Sequence, residues 1–123
     1  MRLIRVIVIA LAPFAAPGLA EEGGAVAERV VADIEHGMGS GWTVRARWND
    51  GTLTAFVTPP VEIGWEITSD RARQRQVTEE LCAMISAESR AAMREGQRLA
   101  VVPVILGKAL THLRRSCLEA SEN

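Results

Sequence analysis

This chain is short of positive charge, cysteine, histidine and aromatic residues. Its 123 residues hold 14 basic and 15 acidic side chains, 2 histidines, 2 cysteines, 3 tryptophans and 2 phenylalanines. Proteins that bind nucleic acid or an anionic membrane surface carry a basic excess, which is absent here. Two cysteines without clustered histidines make a poor zinc set, and they lack the Cys-x-x-Cys spacing of redox pairs. His36 and His112 are far apart, with no His-x-x-x-His spacing. The expectation is that the chain uses no metal and no cofactor.

Catalytic motifs are missing as well. No Gly-x-Ser-x-Gly elbow presents a nucleophile. Gly37, Gly39 and Gly41 follow a predicted helix and do not sit between a strand and a helix, so they form no phosphate loop. Glu62 and Glu66 fall on one face of a predicted strand. Solvated carboxylates are the ordinary reading there, ahead of an acid and base pair. Asp50 is accounted for by a turn. A hydrolytic enzyme would need Glu62, Glu66 or a histidine in a cleft with a perturbed pKa, and it ranks last among the readings.

Long hydrophobic runs are also absent. Val6–Ala16, broken by Pro13, falls short of the roughly 20 residues needed to span a membrane. Preceded by Arg2 and Arg5 and followed by Pro17-Gly18-Leu19-Ala20, it has the layout of a signal peptide over residues 1–20. No cysteine follows the predicted cut, which argues against a lipid anchor there. Removing Arg2 and Arg5 takes the 14 basic residues to 12 against 15 acidic ones, a net charge of −3. The remaining residues, 21–123, make one small domain. The expected location is periplasmic or secreted, with no membrane span after cleavage.

An oxidising compartment favours pairing of Cys82 with Cys117. The chain-entropy argument values that closure at roughly 3–4 kcal/mol.

What is present is a set of clear periodicities. After a polar lead-in at Glu21–Gly24, Val26, Val30 and Ile34 form the stripe of a helix over Ala25–His36, capped by Gly37. Trp42, Val44, Ala46 and Trp48 alternate with polar residues, and so do Leu53, Ala55 and Val57. A two-residue Asp50-Gly51 turn sets Trp48 opposite Leu53, Ala46 opposite Ala55 and Val44 opposite Val57. Pro59-Pro60 interrupts the ladder, and alternation from Val61 to Thr68 predicts a third strand. Ser69 is the expected N-cap of a second helix, with Val77, Leu81, Met84 and Ile85 on its apolar stripe. A break near Ser86–Ser89 and a further turn or two precede Gly96. Leu99–Leu106 reads as a strand covered on both faces, with Pro103 marking an edge or bulge. Gly107-Lys108 is the expected turn. Residues 109–117 fit a returning strand better than a helix. The order α-β-β-(β)-α-β-β predicts an α+β fold, with two helices on a mainly antiparallel sheet of two hairpins and one disulfide.

Two surfaces stand out as candidates for function. Arg45, Arg47 and Phe56 share the outer hairpin face, and arginine and phenylalanine are enriched in protein interfaces. Arg71, Arg73 and Arg75 would suit carboxylate or phosphate, although alternate residues do not share one helix face. Trp42, Trp48 and Trp65 all fall on predicted apolar faces and read as core. The leading expectation is a small exported bacterial envelope protein without enzymatic activity. It would bind another envelope protein as an accessory or inhibitor-like module, and it would not bind nucleic acid. The alternative is a small-ligand or glycan-binding domain with a tryptophan-lined groove.

Overall fold

The four-residue apolar spacing near the N-terminus builds the first helix. The computed structural model describes the backbone of residues 15–117 and the side chains of residues 24–117. Most of the predicted signal segment, residues 1–14, lies outside the described residues. Helix α1 (Ala15–Met38) turns Val26, Val30 and Ile34 into the core. It starts before the predicted Ala25, so the expected lead-in at Glu21–Gly24 is helical backbone. Its left-handed terminator is Gly39, not Gly37: Gly39 has φ +93° and donates its N–H to the Glu35 carbonyl at 3.0 Å. Gly37 stays inside the helix, packed so closely on Met84 that a Cβ would collide with its side chain.

The hairpin forms in the predicted register. Strands β1 (Thr43–Asn49) and β2 (Thr52–Thr58) pair Val44 with Val57, Ala46 with Ala55 and Trp48 with Leu53. Asp50 and Gly51 both take positive φ, 52° and 79°, as a primed turn requires. The Glu35 carboxylate of α1 accepts the Val44 N–H at 3.2 Å, tying the edge strand β1 to the helix.

Beyond the hairpin, the expected third strand is a helix, α2 (Val61–Ser69). Pro59 and Pro60 cannot donate to a ladder. Pro60, with φ −57°, leads into a turn closed by the Gly64 N–H on its carbonyl at 2.9 Å. A short apolar run fits either period. As a helix it buries Gly64 and Ile67 and turns Val61 and Trp65 outward. Asp70, not Ser69, then caps α3 (Arg71–Met84), accepting from Ala72 N at 2.9 Å and Arg73 N at 3.3 Å. Val77, Leu81 and Cys82 of α3 are buried. The predicted break follows, with Ser86 capping the short helix α4 (Ala87–Ala91).

Strand β3 (Arg98–Ile105) enters beside β2 and runs parallel to it, pairing Leu99 with Leu53 and Val101 with Ala55. The sheet is therefore mixed rather than mainly antiparallel. Parallel neighbours need a long crossover, usually helical, and α2–α4 supply it. Leu99, Ala100, Val101 and Val102 are all buried, in keeping with the continuous apolar run.

The last turn is Leu106-Gly107, one residue earlier than expected, with Ile105 paired to Lys108. Residues 109–117 form neither one strand nor one helix. They contribute to β4 (Lys108–Ala109), a 3-10 turn (Thr111–Leu113) and β5 (Arg115–Ser116). Pro103 explains the split: β5 pairs with Ala100 and Val101, and β4 pairs with Val104 and Ile105. Pro103 lies between these pairings and has no N–H to donate; its carbonyl accepts the Leu110 N–H at 2.9 Å.

Among the described residues, the fold is thus α+β, with four helices and a mixed five-stranded sheet ordered β1-β2-β3-β4, β5 also pairing with β3. Val30, Ile34, Ile67, Val77 and Leu81 from the helices meet Leu53, Ala55, Val57, Leu99 and Val101 in one core. Cys82 and Cys117 are joined by a disulfide with Cα atoms 5.3 Å apart.

Candidate functional site

Helix α2 places Val61, Trp65 and Thr68 along one flank, facing the β3–β4 turn. Gly64 packs on Ile105: a Cβ there would meet its side-chain carbons at 3.5 Å, an ordinary van der Waals contact. Pro60, Val61, Trp65, Val104, Ile105 and Leu106 help to line the resulting recess of about 240 Å³. Val61, Trp65 and Leu106 are 68%, 65% and 85% exposed, and among the described residues they are the exposed large hydrophobics. All three meet at this recess, whereas isolated exposed apolar residues need no explanation.

Leu106 is doubly unfavourable where it stands. Its φ is +54°, a conformation that disfavours a residue with a Cβ by roughly 1–2 kcal/mol. Asparagine or glycine would suit this turn position better. Its side chain also projects into solvent. Local backbone strain of this kind concentrates at functional positions. Sequence reasoning missed both Leu106 and Val61. The available signal was a leucine next to glycine at the tip of a hairpin.

In the hairpin register Arg45 lies directly opposite Phe56 and Arg47 opposite Thr54. The arginines are exposed and Phe56 is half-buried. Phe56 is paired on its other side with the buried Val102.

The tryptophans do not share one groove. Trp42 and Trp48 are half-buried against the core, and Trp48 lies at the turn end of the hairpin. Trp65 is on α2, which follows the opposite end, and it is exposed rather than core. The arginine run also divides. Arg73 reaches back to Glu66, with Nε 2.9 Å from the carboxylate, while Arg71 and Arg75 face the C-terminal segment.

Glu62 and Glu66 lie one turn apart on α2 and are exposed, as are His36 and His112. Among the described residues, no three His, Cys, Asp or Glu side chains converge as a metal site. Comparison of the chain with protein-family models, curated proteins and solved structures gives no match.

Proposed function

We propose that this chain is a small, exported, non-enzymatic protein-binding module of the bacterial cell envelope, docking through the Trp65–Leu106 recess. The observation that carries this reading is the meeting of Val61, Trp65 and Leu106 at one apolar recess, with Leu106 in a left-handed conformation. Ligand pockets commonly measure about 300–1,000 Å³. At about 240 Å³, this recess better suits one anchoring side chain of a partner protein. Such an apolar or aromatic anchor, seated in a pocket, is the usual centre of a protein interface. The disulfide fits an oxidising compartment. No helix among the described residues is long and apolar enough to cross a membrane.

The test is a cross-linked pull-down with the mature protein, comparing wild type with Trp65→Ala and Leu106→Asn. A partner retained by wild type and lost by both variants supports the recess. Retention by both variants sinks it. The Arg45, Arg47 and Phe56 triple substitution, run alongside, tests the hairpin face as the docking surface, a choice favoured by the Arg45–Phe56 pairing. An apolar small ligand in the same recess is the second reading, favoured by its almost wholly apolar lining. It would alter Trp65 emission without any protein partner.

A further inference from the structure

A different surface gathers positive charge. Arg71 and Arg75 lie one turn apart on α3, and the segment around β5 brings Arg114 and Arg115 against them. Together with Gln74 and His112 they line a cleft of about 430 Å³. Arg115 is held in place: its Nε donates to Thr78 Oγ1 at 3.0 Å, and its Nη2 lies 3.6 Å from Glu79. Among the described residues, Arg71, Arg75 and Arg114 have no side-chain hydrogen bond or ion pair. Ser116 borders the same cleft. Among the described residues its hydroxyl is the buried side-chain polar atom that lacks a hydrogen-bond partner.

Two arginines a turn apart on a bare helix would be an ordinary solvated face. This case differs because the other arginines come from a separate segment fixed beside them. β5 is locked onto β3, and Cys117, directly after it, is bonded to Cys82 of α3. The fold thus holds like charges together in a chain whose net charge is −1. Each guanidinium offers a planar fork of donors matched to phosphate or carboxylate oxygens. A lone carboxylate has two oxygens and is satisfied by one such fork. Three forks without a partner among the described residues call for more acceptor oxygens and more charge. The cleft volume also lies within the usual range for small-ligand sites.

We propose that this cleft binds a diphosphate-type oxyanion, either free or carried on a larger small molecule. The proposal is independent of the apolar recess, which is lined by other residues, on α2 and the β3–β4 turn.

Isothermal titration of the full oxidised chain with inorganic pyrophosphate, at about 0.05 M ionic strength where screening is weak, tests it. Saturable binding is expected. The Arg71→Gln/Arg75→Gln double variant should weaken it by at least about tenfold, as loss of charge-assisted bonds implies. Arg114→Gln should weaken it similarly. Arg73→Gln, on the same helix but paired with Glu66, should leave affinity within about twofold. Citrate, a multivalent carboxylate, should bind more weakly than pyrophosphate. Glutamine keeps much of the side-chain stem at exposed positions, and thermal melts of each variant establish that it is folded. Absence of saturable pyrophosphate binding overturns the proposal, as does equal loss in Arg73→Gln. Citrate binding as tight as pyrophosphate overturns the phosphate assignment.

Discussion

The Ser89 hydroxyl donates a 2.7 Å hydrogen bond to the Asp33 carboxylate across 56 residues of sequence. The Ser86 N–H donates to the same oxygen at 2.9 Å. A carboxylate on α1 therefore meets the start of α4 and clamps the two helices together. Burial pushes the Asp33 pKa up, but the Ser86 and Ser89 donors and the charge of Arg29 outweigh it. The net shift is below the ordinary value.

The clamp predicts a direction of pH dependence. A carboxyl whose folded pKa is depressed contributes stability that is fully present above its unfolded pKa, about 3.9. That contribution is lost as pH falls through the folded value. Melting temperature should show no loss from this group between pH 7 and about 5, then a loss below about pH 4. Asp33→Ala, which removes the accepting oxygen, should reduce stability at pH 7 by about 1–3 kcal/mol and flatten the acid limb. Denaturant melts of both proteins across pH decide the matter, and an unchanged melt at pH 7 removes the clamp.

A second network surrounds the disulfide. Arg90 donates Nη2 to the Cys82 carbonyl at 2.6 Å, Nη1 to the Cys117 carbonyl at 3.1 Å and Nε to the Ile85 carbonyl at 3.3 Å. Thiol titration of the denatured, non-reduced protein, produced under oxidising conditions, should find no free cysteine. Reduction should lower stability by roughly 3–4 kcal/mol. Arg90→Ala should lower it by about 1.5–3 kcal/mol, because a charged donor is lost from three carbonyls. Equal melts for wild type and Arg90→Ala would show that the network contributes nothing.

Leu106 separates stability from binding. Leu106→Asn relieves a left-handed leucine and should raise stability by up to about 1 kcal/mol. The same variant should lose the partner captured by wild type. A purely structural Leu106 predicts no such loss, so stability and capture moving in opposite directions distinguish the two accounts.

Tryptophan emission reports the same surface. Trp65 is 65% exposed, while Trp42 and Trp48 pack against the core. Trp65→Phe should remove the redder, acrylamide-accessible part of the fluorescence and leave a bluer, better-protected remainder. An unchanged quenching curve would mean that Trp65 is covered in solution.

Much of this architecture was legible because it depends on near neighbours. Strict alternation around Asp50-Gly51 allows only one register that buries both apolar sets, and Val44 opposite Val57 follows from it. The four-residue spacing of Val26, Val30 and Ile34 defines a helix face without reference to any other element. The pairing of Cys82 with Cys117 followed from the expected compartment. The Arg45–Phe56 juxtaposition followed from the hairpin register.

Long-range pairing was not legible in this way. Val61, Ile63, Trp65 and Ile67 alternate as a strand would, but β2 already has β1 on one side and β3 on the other. With no ladder beside β2 open to it, this segment satisfies its backbone as a helix, and that choice turns Trp65 from expected core into exposed surface. The parallel placement of β3 beside β2 joins residues such as Leu53 and Leu99, and local periodicity carries no information about such a partner. Both candidate sites arise at this level. Periodicity determined which residues are apolar and how each element repeats; only tertiary structure decided which apolar residues remain uncovered, and which arginines from distant segments share one cleft.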